Sequence, residues 1–129
     1  MNTKTSIKKR IIVVDDEPDI VRTMEIFLKS ENFDVITAKD GIEALDKIKK
    51  EMPDLIILDI MLPKLNGYTI CRMLKFDAKY KKIPILIFTA RAQEIDQMKA
   101  KEVCADAYIT KPFRSEVLLE KIKQLLSAS

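Results

Sequence analysis

Several residue types are rare or absent in this 129-residue chain: it contains no histidine and no tryptophan, and only two cysteines and two glycines. A zinc site built on histidine and a cysteine–histidine protease are both excluded, because neither has the histidine it requires. No apolar stretch is long enough to span a bilayer, and residues 1–10 lack the apolar core of a signal peptide. We therefore expect a cytoplasmic protein that does not insert into a membrane.

The charge and the apolar content are those of an ordinary globular domain. Apolar residues make up 47% of the chain and charged residues 33%, and the net charge is only +3. That charge is too small to indicate direct binding to nucleic acid. We expect one domain over residues 1–129, with its core at about residues 8–126 and a flexible N-terminal tail at residues 1–7.

Five short apolar runs alternate with longer segments of helical period. Runs that are apolar throughout are typical of parallel strands buried on both faces of a sheet. Five strand–helix units joined by right-handed crossovers predict an α/β fold, with a doubly wound five-stranded parallel sheet of order 2-1-3-4-5 in a three-layer α/β/α sandwich. The predicted strands are Ile11–Val14, Val35–Ala38, Leu55–Leu58, Ile85–Phe88 and Ala107–Ile109.

Polar side chains stand at or just beyond the ends of four of these strands. The acidic triplet Asp15-Asp16-Glu17 follows the first strand, Asp59 follows the third, Thr89 follows the fourth, and Lys111 comes soon after the fifth. The carboxyl ends of parallel strands meet at one sheet edge, beside the switch point between strands one and three. Carboxylates gathered there repel each other unless a divalent cation lies among them. The sequence therefore predicts a site for magnesium and a phosphoryl group.

Five segments carry motifs that recur together: Val13–Pro18, Asp40–Leu45, Pro53–Pro63 with Asn66-Gly67, Pro84–Ala90, and Ala105–Phe113. In this order and spacing, they resemble the receiver domain of two-component response regulators, and the chain looks like a stand-alone receiver of the chemotaxis type. The resemblance runs from about Lys8 to Leu126 and implies a flavodoxin-like fold. The sequence departs from the family at Cys104-Ala105, where receivers usually carry Gly-Ala.

The resemblance implies a metal-dependent phosphoacceptor site. Asp59 is the implied phosphoacceptor, and the implied cofactor is Mg2+ or Mn2+. Asp16, Asp59 and the backbone carbonyl of Met61 would bind the metal directly, and Asp15 would act largely through water. The chemistry agrees, because a carboxylate attacks an anionic phosphate poorly until a cation offsets the repulsion.

Five further features follow from the same resemblance. Lys111 would pair with the phosphoryl oxygens, and Thr89 would hydrogen-bond the phosphoryl group once it is present. Tyr108 would turn inward when that happens. The Lys111–Pro112 peptide bond would be cis, and Gly67 would have a structural role.

The implied function is a phosphoacceptor switch rather than an enzyme with an external product. The phosphoryl group would come from a phosphohistidine on a sensor histidine kinase or a phosphotransfer protein, since this chain has no histidine. The output would be binding of a downstream protein by the surface formed by the fourth predicted helix, strand five and the fifth helix. We expect a monomer or a phosphorylation-dependent dimer.

Three alternatives belong to other functional classes. A dehalogenase-type phosphatase needs a second aspartate two residues after the first, where Met61 stands. A flavodoxin-like FMN carrier needs a hydroxyl- and glycine-rich phosphate loop after strand one, where Asp15-Asp16-Glu17 would repel a phosphate. A degenerate receiver that serves only as an interaction module would not need the complete set of site residues.

Overall fold

The computed structural model describes residues 8–90, 93, 96 and 105–127. The tail predicted at residues 1–7, most of the fourth predicted helix including Ile95 and Met98, and Cys104 lie outside the described residues. The strands are β1 (Arg10–Val14), β2 (Asp34–Ala38), β3 (Leu55–Leu58), β4 (Ile85–Thr89) and β5 (Ala107–Thr110). The helices are α1 (Pro18–Ser30), α2 (Gly41–Glu51), α3 (Gly67–Lys75) and a C-terminal helix (Ser115–Ser127).

The five strands form one parallel sheet in the order β2-β1-β3-β4-β5, which confirms the predicted topology. Val14 pairs with Leu58, and Thr89 pairs with Thr110. This register brings the carboxyl ends of β1 and β3, and of β4 and β5, to the same edge of the sheet.

Two apolar layers enclose the sheet, because successive side chains on a strand point to opposite faces. Ile12, Val14, Ile56 and Leu58 pack with residues of α2 and α3 on one face. On the other face, the intervening residues of β1 and β3 pack with α1 and the C-terminal helix. All four residues of β3 are buried. The three-layer α/β/α sandwich is therefore as predicted.

Local sequence explains where the helices begin. Pro18 occupies the first turn of α1, where its missing N–H has no cost. Asp40 caps α2 by accepting a hydrogen bond from the Glu43 N–H, and Glu43 in turn accepts one from the Lys39 N–H. Asn66 caps α3 in the same manner, through the Thr69 N–H. None of the helices in the described ranges has the length and apolar character that crossing a bilayer requires.

Candidate functional site

A pocket of about 270 Å³ opens at the carboxyl ends of β1, β3 and β4. Asp15 lies against it, with Oδ2 2.6 Å from Lys111 Nζ. The sheet thus brings together the predicted acidic residues, the hydroxyl and the lysine. The lining residues are Asp16, Glu17, Asp59, Met61, Thr89, Ala90 and Lys111.

Asp59 is held at the centre of the site by its backbone and its neighbours. Its N–H donates to the Val14 carbonyl at 3.0 Å, which ties the end of β3 to the end of β1. Its Oδ1 accepts a hydrogen bond from the Met61 N–H at 3.0 Å, and its Oδ2 accepts one from Lys111 Nζ at 3.0 Å. Asp59 as a whole is 4% exposed, so its carboxylate meets incoming groups through the pocket.

Asp15 is more deeply buried. Its Oδ1 accepts a hydrogen bond from the Glu17 N–H at 3.0 Å. Burial raises the pKa of the Asp15 carboxyl above its usual value, and the negative charge of Asp59 adds to the rise, although contacts with Lys111 and the Glu17 N–H oppose it. Within the described ranges, Oδ2 has no hydrogen-bond partner of suitable geometry, although it forms the ion pair with Lys111.

Among the residues that the structure describes, Lys111 is the one cation that lines the pocket, and its amine contacts three carboxylates. Besides Asp15 and Asp59, it contacts Glu17 Oε1 at 3.1 Å. Burial alone would lower the Lys111 pKa, but the contacts with the three carboxylates outweigh burial and raise it. The Lys111 N–H donates to the Thr89 carbonyl at 2.8 Å, and Nζ lies 5.2 Å from the centre of the Phe88 ring. These contacts hold the ammonium beside Asp59.

The acidic triplet is arranged differently from the expected ligand set. Asp15, Glu17 and Asp59 each offer a carboxylate oxygen, and these oxygens lie within 4.8 Å of one another. Asp16 is exposed and lines the pocket wall outside this group. No separate role for Glu17 is evident from the sequence pattern. Its place in the acidic triplet was the sequence feature that could have indicated a role. A pattern of polar residues at strand ends does not, however, predict which of their side chains contacts Lys111.

The remaining predicted residues lie around this group. Thr89 is fully buried and lines the pocket, whereas Tyr108 is half-buried on β5 and packs against the core. The Lys111–Pro112 bond is cis, the geometry that the resemblance implied. Gly67 begins α3, and a Cβ there would lie 2.5 Å from the Asp59 carbonyl oxygen. The absence of a side chain at this position allows α3 to approach the backbone beside the phosphoacceptor candidate.

The donor set fits a divalent cation with hard oxygen ligands. Three carboxylates converge within 4.8 Å, and among the described residues one lysine contacts all three and offsets part of their charge. The buried Oδ2 of Asp15 also retains an unused acceptor position. Mg2+ takes carboxylate and carbonyl oxygens and keeps several waters, so a partly open acidic pocket suits it.

Comparison with known proteins gives the same assignment. The family model described as "Response regulator receiver domain" matches residues 11–123. Over 123 residues, the chain is 44% identical to the alkaline phosphatase synthesis transcriptional regulatory protein PhoP of Bacillus subtilis (strain 168), an alignment that covers 95% of this chain and 50% of PhoP. The chain therefore spans about half the length of this curated relative.

Solved structures with the same fold include proteins of the same kind. A putative response regulator from Chloroflexus aurantiacus J-10-fl superposes with a TM-score of 0.86 at 32% identity, covering 93% of this chain and 98% of that one. The response regulator TrrA from Thermotoga maritima, solved in complex with Mg(2+)-BeF, gives a TM-score of 0.82 at 36% identity, covering 92% and 99%. The sheet order, the acidic pocket and these matches lead to one conclusion: the chain belongs to the response regulator receiver domain family.

Proposed function

We propose that this chain is a metal-dependent phosphoacceptor switch and that Asp59 receives the phosphoryl group. The observation that carries the proposal is the environment of Asp59. Its carboxylate is buried, is oriented by the Met61 N–H and Lys111, and lines the wall of the pocket. A nucleophile held in this way has its orientation set before the donor arrives, which removes much of the entropic cost of the reaction.

The transfer step can be written from the residues of the pocket. A carboxylate oxygen of Asp59 forms a bond to phosphorus, the phosphorus–nitrogen bond to the donor imidazole breaks, and the imidazole nitrogen takes up a proton. Lys111 offsets charge on the phosphoryl oxygens. Asp15, Asp16, Asp59 and the Met61 carbonyl would hold Mg2+ or Mn2+. The cation would offset the repulsion between the negatively charged carboxylate and the negatively charged phosphoryl group. The product is an aspartyl phosphate.

The switch would follow from the new charge. A phosphoryl group adds nearly two negative charges, and Thr89 and Lys111 are described pocket residues whose side chains can donate a hydrogen bond to it. Movement of Thr89 would give Tyr108 room to turn inward. The equilibrium between two packings of the sheet edge would then shift, as in other phosphate-driven switches.

The output surface is proposed to comprise β5, the C-terminal helix and the fourth predicted helix. Lys123 and Gln124 are exposed on the C-terminal helix, whereas Lys99 and Lys101 lie outside the described residues. A downstream protein would bind this surface, and a phosphorylation-dependent dimer could use the same area. The phosphodonor would be a sensor histidine kinase or a phosphotransfer protein in the cytoplasm.

The expectation that this receiver acts as a stand-alone regulator stays a prediction. PhoP, which is named as a transcriptional regulatory protein, is about twice as long as the segment matched here. A stand-alone regulator would act through protein binding only, without direct contact to nucleic acid. The two types differ in output and share the chemistry proposed for Asp59.

The proposal is tested by incubating the protein with Mg2+ and acetyl phosphate and measuring covalent phosphate. We expect acid-labile, hydroxylamine-sensitive incorporation that disappears in Asp59→Asn. Asp46→Asn is a matched control, because it removes the same charge from an exposed position on α2. Equal labelling of Asp59→Asn and the wild type would refute the assignment.

A further inference from the structure

The ammonium group of Lys111 already contacts three carboxylates before any phosphoryl group arrives. An ammonium has three N–H donors, and three carboxylate oxygens lie around this one. They belong to Asp15 at 2.6 Å, Asp59 at 3.0 Å and Glu17 at 3.1 Å. Lys111 donates hydrogen bonds to Glu17 and Asp59 and forms an ion pair with Asp15, so a phosphoryl oxygen competes with these carboxylates for the ammonium.

Glu17 is the carboxylate that is released at least cost. Its side chain is 61% exposed, whereas the side chains of Asp15 and Asp59 are 0% and 5% exposed. A carboxylate that leaves an ion pair must be solvated again, and only Glu17 can be hydrated in place. A buried carboxylate that loses its cation keeps an uncompensated charge, which is far more costly.

The position of Glu17 is defined by the chain around it. Its N–H donates to Asp15 Oδ1 at 3.0 Å. Its backbone is extended, with φ −93° and ψ 109°, and Pro18 follows as the first residue of α1. A residue before proline is restricted to such extended conformations. The side chain therefore leaves a constrained backbone and reaches over Lys111 at the wall of the pocket.

We propose that Glu17 is a positioning residue that holds Lys111 away from the incoming phosphoryl group until the group displaces it. This inference rests on the proposed phosphoacceptor function of Asp59. Glu17 lowers the rate of phosphorylation in two ways. Its ion pair with Lys111 must break, and its negative charge repels an anionic donor at the pocket. Together they slow phosphorylation by small anionic donors.

The test compares Glu17→Gln with the wild type, using acetyl phosphate and saturating Mg2+. Glutamine keeps the size of the side chain and an oxygen that can accept from Lys111, but it removes the charge. At low salt we expect the second-order rate constant of phosphorylation to rise about three- to tenfold, as for loss of one partly exposed ion pair and one repulsive charge. The gain should appear mainly as a lower KM for acetyl phosphate.

Salt and a control variant separate this effect from others. The gain should shrink as ionic strength rises, because salt screens exposed charges. Glu31→Gln changes the net charge equally at an exposed residue just beyond the other end of α1 and should leave the rate unchanged. A rate for Glu17→Gln that equals or falls below that of the wild type would overturn the inference, as would an equal gain in Glu31→Gln.

A second measurement needs no phosphoryl chemistry. The unphosphorylated proteins are treated with the N-hydroxysuccinimide ester of acetate, and acetylation of Lys111 is followed by peptide mass spectrometry, with exposed Lys29 as an internal reference. We expect faster acetylation of Lys111 in Glu17→Gln than in the wild type, and equal rates would show that Glu17 does not hold the amine. Failure of the wild type to become phosphorylated would instead overturn the proposed function and this inference with it.

Discussion

Replacement of Gly67 by alanine should damage both the stability of the fold and the chemistry proposed for Asp59. The chain has only two glycines, and each is the first residue of a helix that passes close to another segment of backbone. A Cβ at Gly67 would lie 2.5 Å from the Asp59 carbonyl oxygen and 2.6 Å from the Ile60 Cα, whereas ordinary contact begins at 3.4 Å. Because both obstacles are backbone, the two segments would have to separate by nearly 1 Å.

The cost follows from this overlap. Overpacking at a well-packed site costs about 1–3 kcal/mol and occasionally more. The better helix propensity of alanine would recover at most about 1 kcal/mol. We therefore expect the free energy of unfolding to fall by about 1–3 kcal/mol for Gly67→Ala in a urea titration. A displacement of about 1 Å beside the nucleophile can also slow a reaction by up to about 100-fold.

Gly41→Ala is the matched control. A Cβ at this position would lie 2.1 Å from the Leu65 carbonyl oxygen, so a comparable loss of stability is expected. Leu65 lies six residues beyond Asp59, so phosphorylation should be affected less than in Gly67→Ala. If Gly67→Ala unfolds within about 0.5 kcal/mol of the wild type and is phosphorylated at the same rate, the close packing of α3 on Asp59 has been misread.

Four further predictions concern the metal, the cap of α2, the lifetime of the phosphoryl group and the switch. Asp16→Ala should weaken Mg2+ binding and prevent phosphorylation; an unchanged Mg2+ titration would contradict its role as a ligand. The pKa of Asp40 is lowered, first by the hydrogen bond from the Glu43 N–H, and that of Glu43 is lowered, first by the hydrogen bond from Lys47. Both carboxylates therefore stabilise the fold at pH values above their ordinary pKa values of 3.8 and 4.5. This stabilisation is lost as the pH falls through the lowered pKa values of the folded protein. Asn at position 40 can still cap the helix but does not titrate. The midpoint of urea unfolding should therefore fall less in Asp40→Asn than in the wild type when the pH is lowered from about 6 to about 3, and equal falls would count against the cap. Met61, 49% exposed, offers no strong hydrogen bond to orient a hydrolytic water, so Met61→Asn should speed decay of the aspartyl phosphate, and an unchanged half-life would argue against this reasoning. Thr89→Ala should still accept phosphate but should lose the changes in NMR chemical shift at residues 105–110; retention of these changes would exclude Thr89 as the coupling residue.

Much of the fold could be predicted from hydrophobic pattern alone. Leu55–Leu58 is apolar at every position because both faces of β3 are buried, and the same holds for most of β1 and β4. Once the strands are known to be parallel, their carboxyl ends must share an edge. That is why Asp59, Thr89 and Lys111 could be assigned to one site without coordinates.

The details within the site depend on side-chain geometry, which the pattern does not specify. Asp15 directly follows β1 and is buried, whereas its neighbour Asp16 is exposed. Asp15 forms a direct ion pair with Lys111, which its place in the sequence did not indicate, and its water-mediated contact with the metal stays a prediction. The contact between Glu17 and Lys111 joins residues 94 positions apart. The contact arises from the length of both side chains and from the restricted backbone before Pro18. The hydrophobic periodicity of the sequence therefore does not predict it.

Cys104, where the sequence departs from the family, and Arg91 lie outside the described residues. Arg91 stands two positions after Thr89 in the sequence, and the family resemblance predicts that its side chain lines the approach to the phosphoryl group together with that of Met61. Met61 alone therefore carries the structural part of that prediction.

The central claim is that Asp59 is the residue that becomes phosphorylated. The most direct measurement is to incubate the protein with Mg2+ and acetyl phosphate, reduce it with borohydride and sequence its peptides by mass spectrometry. Borohydride converts an aspartyl phosphate into homoserine and leaves free carboxylates unchanged, so the modified residue is identified by position. We predict homoserine at position 59 alone, formed only when Mg2+ and the donor are both present. Homoserine at Asp15, Asp16 or any other aspartate, or none at position 59, would contradict the proposal.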